Sequence, residues 1–332
     1  MSAPASLPDR FNILAIGQAG RLQYEALLLA ASLRLCDPGF SGTLFIAEPQ
    51  PGPLWPTDPR MEPEIRALLA SLGAEILPFE NRVFGASYPH GNKIEALCAL
   101  PEAPFLFLDS DTLITGPLSQ LAFDFAHPSA SMRRENTWPE PQLYRGDLND
   151  IWGALYARFG LELATSLDLS WPENHWQRYL YFNAGWFFHQ SPQAFGARFL
   201  DYARQIRDDP GDALACQSLD PWLDQVALPL VIHALGGGRP GPELDGLDGD
   251  LTCHWRVMAL LYARESDHVV DVLERVMAMA EIGPALAAYP PFRKMICSGE
   301  GARVRALFRR DALPRKERVI RNTIRRAGLW SR

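Results

Sequence analysis

Asp109 and Asp111 stand one residue apart, directly after the apolar run Phe105-Leu106-Phe107-Leu108. Such a run reads as a buried strand, and ligands of a parallel α/β sheet gather at the carboxyl ends of its strands. Two carboxylates at that edge cannot both be buried unpaired. A hard divalent cation with oxygen ligands satisfies them and leaves positions for water or diphosphate oxygens. The alternative is a pair of solvated turn aspartates, since Asp-Ser-Asp is common in turns. The strand in front tips the balance toward the metal.

The surrounding elements must carry these side chains to one place. Residues 12–17 (NILAIG) read as a buried strand ending in glycine. Residues 22–36 have helical spacing and strong helix formers. Strands follow at 43–47, 75–79 and 104–108, with helices at 62–72, stopped by Gly73, and at 92–100. Strand alternating with helix predicts a mostly parallel, doubly wound sheet over residues 1–121. Residues 128–180 differ: Trp138, Trp152, Trp171 and Trp176 lie among prolines and polar groups. Exposed, they would form an acceptor wall by stacking on sugar C–H surfaces. Ordinary burial accounts for at least half of them. Beyond lie a strand at 181–189, helices at 193–207 and 221–235, a flexible glycine-rich connection at 236–250, a late strand at 252–257 and a helix at 269–280.

Four pieces occur in a fixed order: Asn92-Lys93-Ile94-Glu95-Ala96-Leu97, then FLFLDSDTLITGPL at 105–118, then Tyr181-Phe182-Asn183-Ala184-Gly185, then Leu223-Asp224-Gln225. In that order they resemble nucleotide-sugar-dependent glycosyltransferases of the GT-A fold. The likeness is to the retaining family that includes glycogenin and bacterial lipopolysaccharide galactosyltransferases, and it covers residues 11–260.

The resemblance implies an α/β fold of GT-A type: a mostly parallel Rossmann-like sheet flanked by helices, an inserted acceptor-side region and a helical C-terminal part. Residues 1–121 would bind the nucleotide sugar, 122–298 would complete the catalytic and acceptor side, and 299–332 would form a tail. It implies that Asp109 and Asp111 hold Mn²⁺ or Mg²⁺ against the donor diphosphate, with Asp109 also touching the ribose. Gly17, Gln18, Lys93, Ser110, Asn183 and Gly185 would line the donor. Asp224 and Gln225 would lie near the anomeric carbon and act as the catalytic pair. The third metal ligand would be His254, in Thr252-Cys253-His254-Trp255-Arg256.

Each role has a plainer reading beside it. Lys93 could be a solvated helix lysine, Asp224 a helix cap, and His254 a structural histidine beside a tryptophan. The chain also departs from the family pattern. Ala184 replaces the usual serine, and the glycine and lysine expected after His254 are missing, although Arg256 could contact phosphate. The acidic or amide pair expected after Gly17-Gln18 is absent, which leaves the base of the donor, UDP in the first instance, open. Tyr24, on the next helix, reads as core.

Two enzyme classes compete, and a non-catalytic sugar-nucleotide-binding protein is a third possibility. Asp109-Ser110-Asp111-Thr112 is similar to the nucleophile motif of haloacid-dehalogenase-like phosphatases. Leu113 stands where that motif has threonine or valine, and about 100 residues of α/β pattern precede it. Gly17-Gln18-Ala19-Gly20-Arg21-Leu22 is similar to the start of sugar nucleotidyltransferases, without their second adjacent glycine.

Composition limits the remaining classes. The 332 residues carry 32 basic and 39 acidic side chains, a net charge of −7, which argues against a dedicated nucleic-acid binder. That total divides unevenly. Residues 299–332 hold 11 Arg/Lys and 3 Asp/Glu, leaving the rest of the chain at −15. The segment Pro314–Trp330 puts Val319, Ile320, Thr323, Ile324 and Leu329 on one helical face with arginines opposite. A basic amphipathic helix can lie on an anionic membrane surface, or dock on the body. Five separated cysteines form neither a zinc set nor a disulfide framework. With no signal-peptide pattern at MSAPASLPDR, a cytoplasmic enzyme is expected. It would work on a glycan or lipid-linked acceptor, peripherally at the inner face of the membrane.

Overall fold

The short apolar runs pair into one central sheet. In the computed structural model, which describes residues 10–133, 138–140 and 146–330, five strands lie in the order β3-β2-β1-β4-β6. They are β1 (Asn12–Ile16), β2 (Leu44–Pro49), β3 (Ala74–Phe79), β4 (Phe105–Leu108) and β6 (Trp186–His189). The first four are mutually parallel, and β6 runs antiparallel to β4. Helix Arg21–Cys36 joins β1 to β2, and helix Pro63–Ser71 joins β2 to β3.

Both faces of the central strands are covered, so β1, β2 and β4 are largely apolar rather than alternating with polar residues, whereas the edge strand β3 exposes Glu75 and Pro78. Ile13, Ala15, Ile46, Leu106, Leu108 and Phe188 share one core with helix Arg21–Cys36. Leu14, Ile16, Phe45, Phe105, Phe107 and Phe187 point the other way, into a second core with helices Pro192–Asp208 and Leu223–Ala234.

A small second sheet pairs β5 (Thr112–Ile114) antiparallel with β7 (Thr252–His254). The expected late strand is thus only three residues long, and it pairs with the segment just after Asp111 rather than with the main sheet. The expected strand at 181–189 is shortened to β6. Residues 181–185 are irregular, because Ala184 adopts a φ of 56°. The expected helix at 92–100 is an α-turn, Asn92–Glu95, continued as a tighter 3₁₀ segment, Ala96–Ala99.

The connection at 236–250 is structured. It contains the 3₁₀ segment Pro242–Asp248 with Leu244 and Leu247 buried. Its Asp248 accepts hydrogen bonds from Ser131 Oγ at 2.6 Å and Trp186 Nε1 at 2.9 Å.

The C-terminal helix, Glu317–Arg326, docks on the body. Ile320, Ile324 and Leu329 are buried in the first core, and only Val319 of the predicted apolar face is exposed. Among the described residues, no helix is long and apolar enough to cross a membrane. Of the four tryptophans in 128–180, Trp138 and Trp152 are buried and pack edge to face. Trp176 is exposed, and Trp171 stacks on His175. Residues 134–137 and 141–145 of that region lie outside the described residues, as do 1–9 and 331–332. The five cysteines are free thiols.

Candidate active site

The apolar β4 ends at Leu108, and the chain turns outward through Asp109, Ser110 and Asp111 before re-entering as β5. The turn is pinned from both sides. Asp109 N–H donates to Gly185 O at 2.9 Å, and Trp255 N–H donates to Asp111 O at 3.0 Å. The buried Ser110 hydroxyl donates to the Ile16 carbonyl at the end of β1. Pairing of β5 with β7 sets Thr112 opposite His254, which carries the imidazole to the aspartates. His254 Nε2 lies 3.0 Å from Asp111 Oδ1 and 3.8 Å from Asp109 Oδ2. Ligand-capable atoms of these three residues all fall within 4.8 Å of one another.

Electrostatics tie the three together. Burial alone would raise the Asp111 carboxyl, but His254, Arg21 and Lys93 hold it well below the usual carboxylate range. Burial alone would lower the His254 imidazole, and Asp111 and Asp109 raise it instead. Two carboxylates and one imidazole form a mixed oxygen and nitrogen donor set that fits a divalent cation.

Lys93 occupies the next position inward. Its ammonium is almost fully buried, and its three protons meet three acceptors: Asp109 Oδ1 at 2.7 Å, Asp224 Oδ2 at 3.2 Å and the Ala184 carbonyl at 3.2 Å. Burial opposes the charge, and the two carboxylates overcome it, so the pKa lies above that of an ordinary lysine. Lys93 is therefore not a solvated helix lysine. It joins the aspartate of the turn to Asp224.

Asp224 sits in the first turn of helix Leu223–Ala234 and is buried. Its second oxygen accepts from the Tyr88 hydroxyl at 2.8 Å. Its neighbour Gln225 accepts from Tyr181 O–H at 2.7 Å. Asn183 Oδ1 accepts from Gly185 N–H at 2.8 Å, and its amide donates to the Arg133 carbonyl. This side-chain-to-backbone bond closes a local turn across Ala184, the residue with positive φ. Gly185 is required by contact: a Cβ there would lie 2.6 Å from His254 Nδ1.

At the end of the neighbouring strand β1, a Cβ on Gly17 would lie 2.4 Å from the Ile46 side chain. Gln18 Oε1 accepts from Asn92 Nδ2 at 2.9 Å. Asn92 and Glu95 serve the loop before them. Asn81 Nδ2 donates to both, and Glu95 also accepts the backbone N–H groups of Arg82, Val83 and Phe84. Tyr24 stacks on Tyr289, with ring centroids 5.2 Å apart.

A model of the Rhodobacterales glycosyltransferase domain matches residues 13–236, about two thirds of the chain. The chain belongs to that family. The match ends before His254, so the imidazole reaches the site from outside the matched segment.

No curated protein matches the chain. Among solved structures, LgtC, described as a galactosyltransferase in complex with donor and acceptor sugar analogues, is 11% identical. That alignment covers 83% of this chain and 100% of LgtC at a TM-score of 0.47. WbbM, described as a bifunctional glycosyltransferase, is 10% identical over 87% of this chain and 53% of its own, with a TM-score of 0.45. The glycosyltransferase GlyE of Streptococcus pneumoniae TIGR4 is 13% identical over 70% and 45%, with a TM-score of 0.36.

In this glycosyltransferase the structure adds residues that the motifs did not single out. Tyr88 holds Asp224, Tyr181 holds Gln225, and Asn81 links the loop after β3 to Asn92 and Glu95. Tyr181 lay inside a quoted motif and Tyr88 did not. Tyr88 and Asp224 are 136 positions apart, so no local spacing pairs them.

Proposed function

We propose that this glycosyltransferase transfers a sugar from a nucleotide donor, UDP-linked in the first instance, to a hydroxyl of a glycan or lipid-linked saccharide, with retention at the anomeric carbon. The observation that carries this reading is the convergence of Asp109, Asp111 and His254 beside the buried Lys93–Asp224 pair. A Mn²⁺ or Mg²⁺ ion held by the first three would supply positive charge against the leaving nucleoside diphosphate.

The chain's own residues divide the remaining work. Asp224 presents a carboxylate whose two oxygens are fixed by Tyr88 and Lys93, which suits it to face a developing oxocarbenium-like centre. Gln225, steadied by Tyr181, would orient donor hydroxyls. Asn183 and Gly185 would form the floor of the sugar pocket, and the missing Cβ of Gly185 permits the close approach of the His254 ring. Gly17, Gln18 and Ser110 would border the nucleoside. Residues 1–121 would then be the donor half and 122–298 the acceptor half, with residues 299–332 as the basic tail of a cytoplasmic enzyme. The phosphatase alternative is weaker, because Asp109 follows the fourth strand of the chain rather than the first.

Thermal denaturation with a panel of nucleotide sugars and Mn²⁺, followed by mass spectrometry of products, tests the reading. A UDP-sugar with Mn²⁺ should raise Tm, and Asp111→Asn should abolish that shift. Phosphatase activity with no shift for any nucleoside diphosphate would sink it. A shift without donor hydrolysis or transfer would leave a binding protein.

A further inference from the structure

Beside the site runs a groove of about 1440 Å³, larger than the roughly 300–1,000 Å³ of a small-ligand pocket, walled on one side by the C-terminal helix. Eight Arg/Lys side chains line it against two glutamates, in a chain whose remainder is strongly acidic. Both glutamates are engaged. Glu317 pairs with Arg264 at 2.6 Å and with Arg321, and Glu265 lies 3.7 Å from Arg133. Arg315 and Arg318 line the groove with no carboxylate within ion-pair distance among the described residues.

The wall is anchored. Ile320 and Ile324 are buried, and the Arg321 and Arg325 guanidinium groups lie over the Trp330 ring at 5.7 and 5.1 Å. A smaller cavity shares Arg133 and Arg264 with the groove and is lined by His254 as well. The groove therefore lies next to His254, one member of the Asp109–Asp111–His254 group.

We propose that this groove binds the phosphate or diphosphate of the acceptor, the anionic group through which its saccharide is joined to a carrier. A concave surface lined by one sign of charge concentrates counter-ions, and guanidinium forks match phosphate oxygens. Such a group would set the acceptor beside the donor site without occupying it. A membrane surface is the poorer fit, because the apolar face that would insert among lipids is turned into the protein. The identity of the bound group as an acceptor rests on the transferase reading above, whereas the groove's affinity for phosphate does not.

Titration calorimetry of the full chain with inorganic pyrophosphate in EDTA, where no cation occupies the aspartates, tests this. Saturable binding that weakens with salt is expected. The double variant Arg315→Ala/Arg318→Ala should weaken it by about tenfold or more, and Asp111→Asn should leave it unchanged. The Tm shift with UDP and Mn²⁺ should survive the double variant and vanish in Asp111→Asn, so the two readings fail separately. Absence of pyrophosphate binding, or equal binding by the double variant, overturns the proposal. So does binding to phosphatidylcholine vesicles that requires added phosphatidylglycerol, depends on Arg315 and Arg318 and is not displaced by pyrophosphate, since that assigns the arginines to a membrane.

Discussion

Tyr88 and Asp224 grip each other twice. The phenol donates to Asp224 Oδ1 at 2.8 Å and accepts from the Asp224 backbone N–H at 3.0 Å. Both residues are buried, so the carboxylate is set in direction as well as in place. Burial, followed by the Asp224 charge, raises the phenol pKa well above its ordinary value, so the O–H remains a donor at neutral pH.

Tyr88→Phe should leave Asp224 Oδ1 and its N–H without that partner. A buried polar group stripped of its hydrogen bond costs about 1–3 kcal/mol, readable by urea denaturation. If Asp224 acts on the reacting sugar, the same variant should lower kcat by about 10²-fold with little change in donor KM. An unchanged kcat would make the pair structural only.

Lys93→Met should be among the most damaging single changes. It leaves Asp224 buried beside Asp109 with no compensating charge, and breaking a buried ion pair costs about 3–5 kcal/mol. The double variant Lys93→Met/Asp224→Asn should recover part of that loss, because it removes the stranded carboxylate. Denaturant midpoints of the four proteins in the cycle measure the coupling.

Gly185→Ala should keep the fold and lose the cation response. Its Cβ would press on His254 Nδ1 and Asn183 Oδ1, both side-chain atoms, so the imidazole is pushed off its position beside Asp111. Mn²⁺ affinity should fall by about 10–100-fold, the scale seen when a ligand's support is disturbed. Titration of the Mn²⁺ electron-spin signal reads this without any activity assay.

Glu25 supplies a pH prediction. It is fully buried in helix Arg21–Cys36, with Arg21 at ion-pair distance, 3.3 Å, and no hydrogen bond to either carboxyl oxygen among the described residues. Burial and then the Asp111 charge raise its pKa well above the ordinary carboxylate value. Between those two values the folded state holds a proton that the unfolded state has lost, so stability falls as pH rises through that window. Glu25→Gln removes this loss. Its Tm should exceed that of the unmodified protein at neutral pH, and the two should converge toward the ordinary carboxylate pKa.

Deleting residues 314–332 should destabilise the protein rather than simply release a tail. Ile320, Ile324 and Leu329 lie in the main core, and each buried aliphatic side chain contributes about 1.5–3 kcal/mol. A lower Tm and new binding of a hydrophobic dye are the expected outcomes.

The residue order alone determined the strands of the parallel half and the helices between β1 and β3. There a strand buried on both faces needs a continuous apolar run, and a helix on the sheet needs a spaced one, so local pattern and global burial agree. It also singled out Asp109, Asp111 and Asp224 through short motifs. The same reading made residues 181–185 a strand and residues 236–250 a flexible link. In the first, a bond from the Asn183 side chain and the positive φ at Ala184 replace ladder pairing. In the second, buried leucines and Asp248 fix a glycine-rich segment.

Tertiary structure decided how the partners meet, including the His254 pairing that the family resemblance only implies. Pairing of β5 with β7 brings His254 to Asp111 across 143 positions of sequence. Lys93 meets Asp224, and Tyr88 meets Asp224, because helix Leu223–Ala234 packs into the second core beside helix Pro192–Asp208. The tail's amphipathic pattern predicted a helix but not which surface would cover its apolar face. The reason is common to all of these: periodicity records whether a side chain is buried, while the partner it is buried against depends on contacts between segments far apart in the chain.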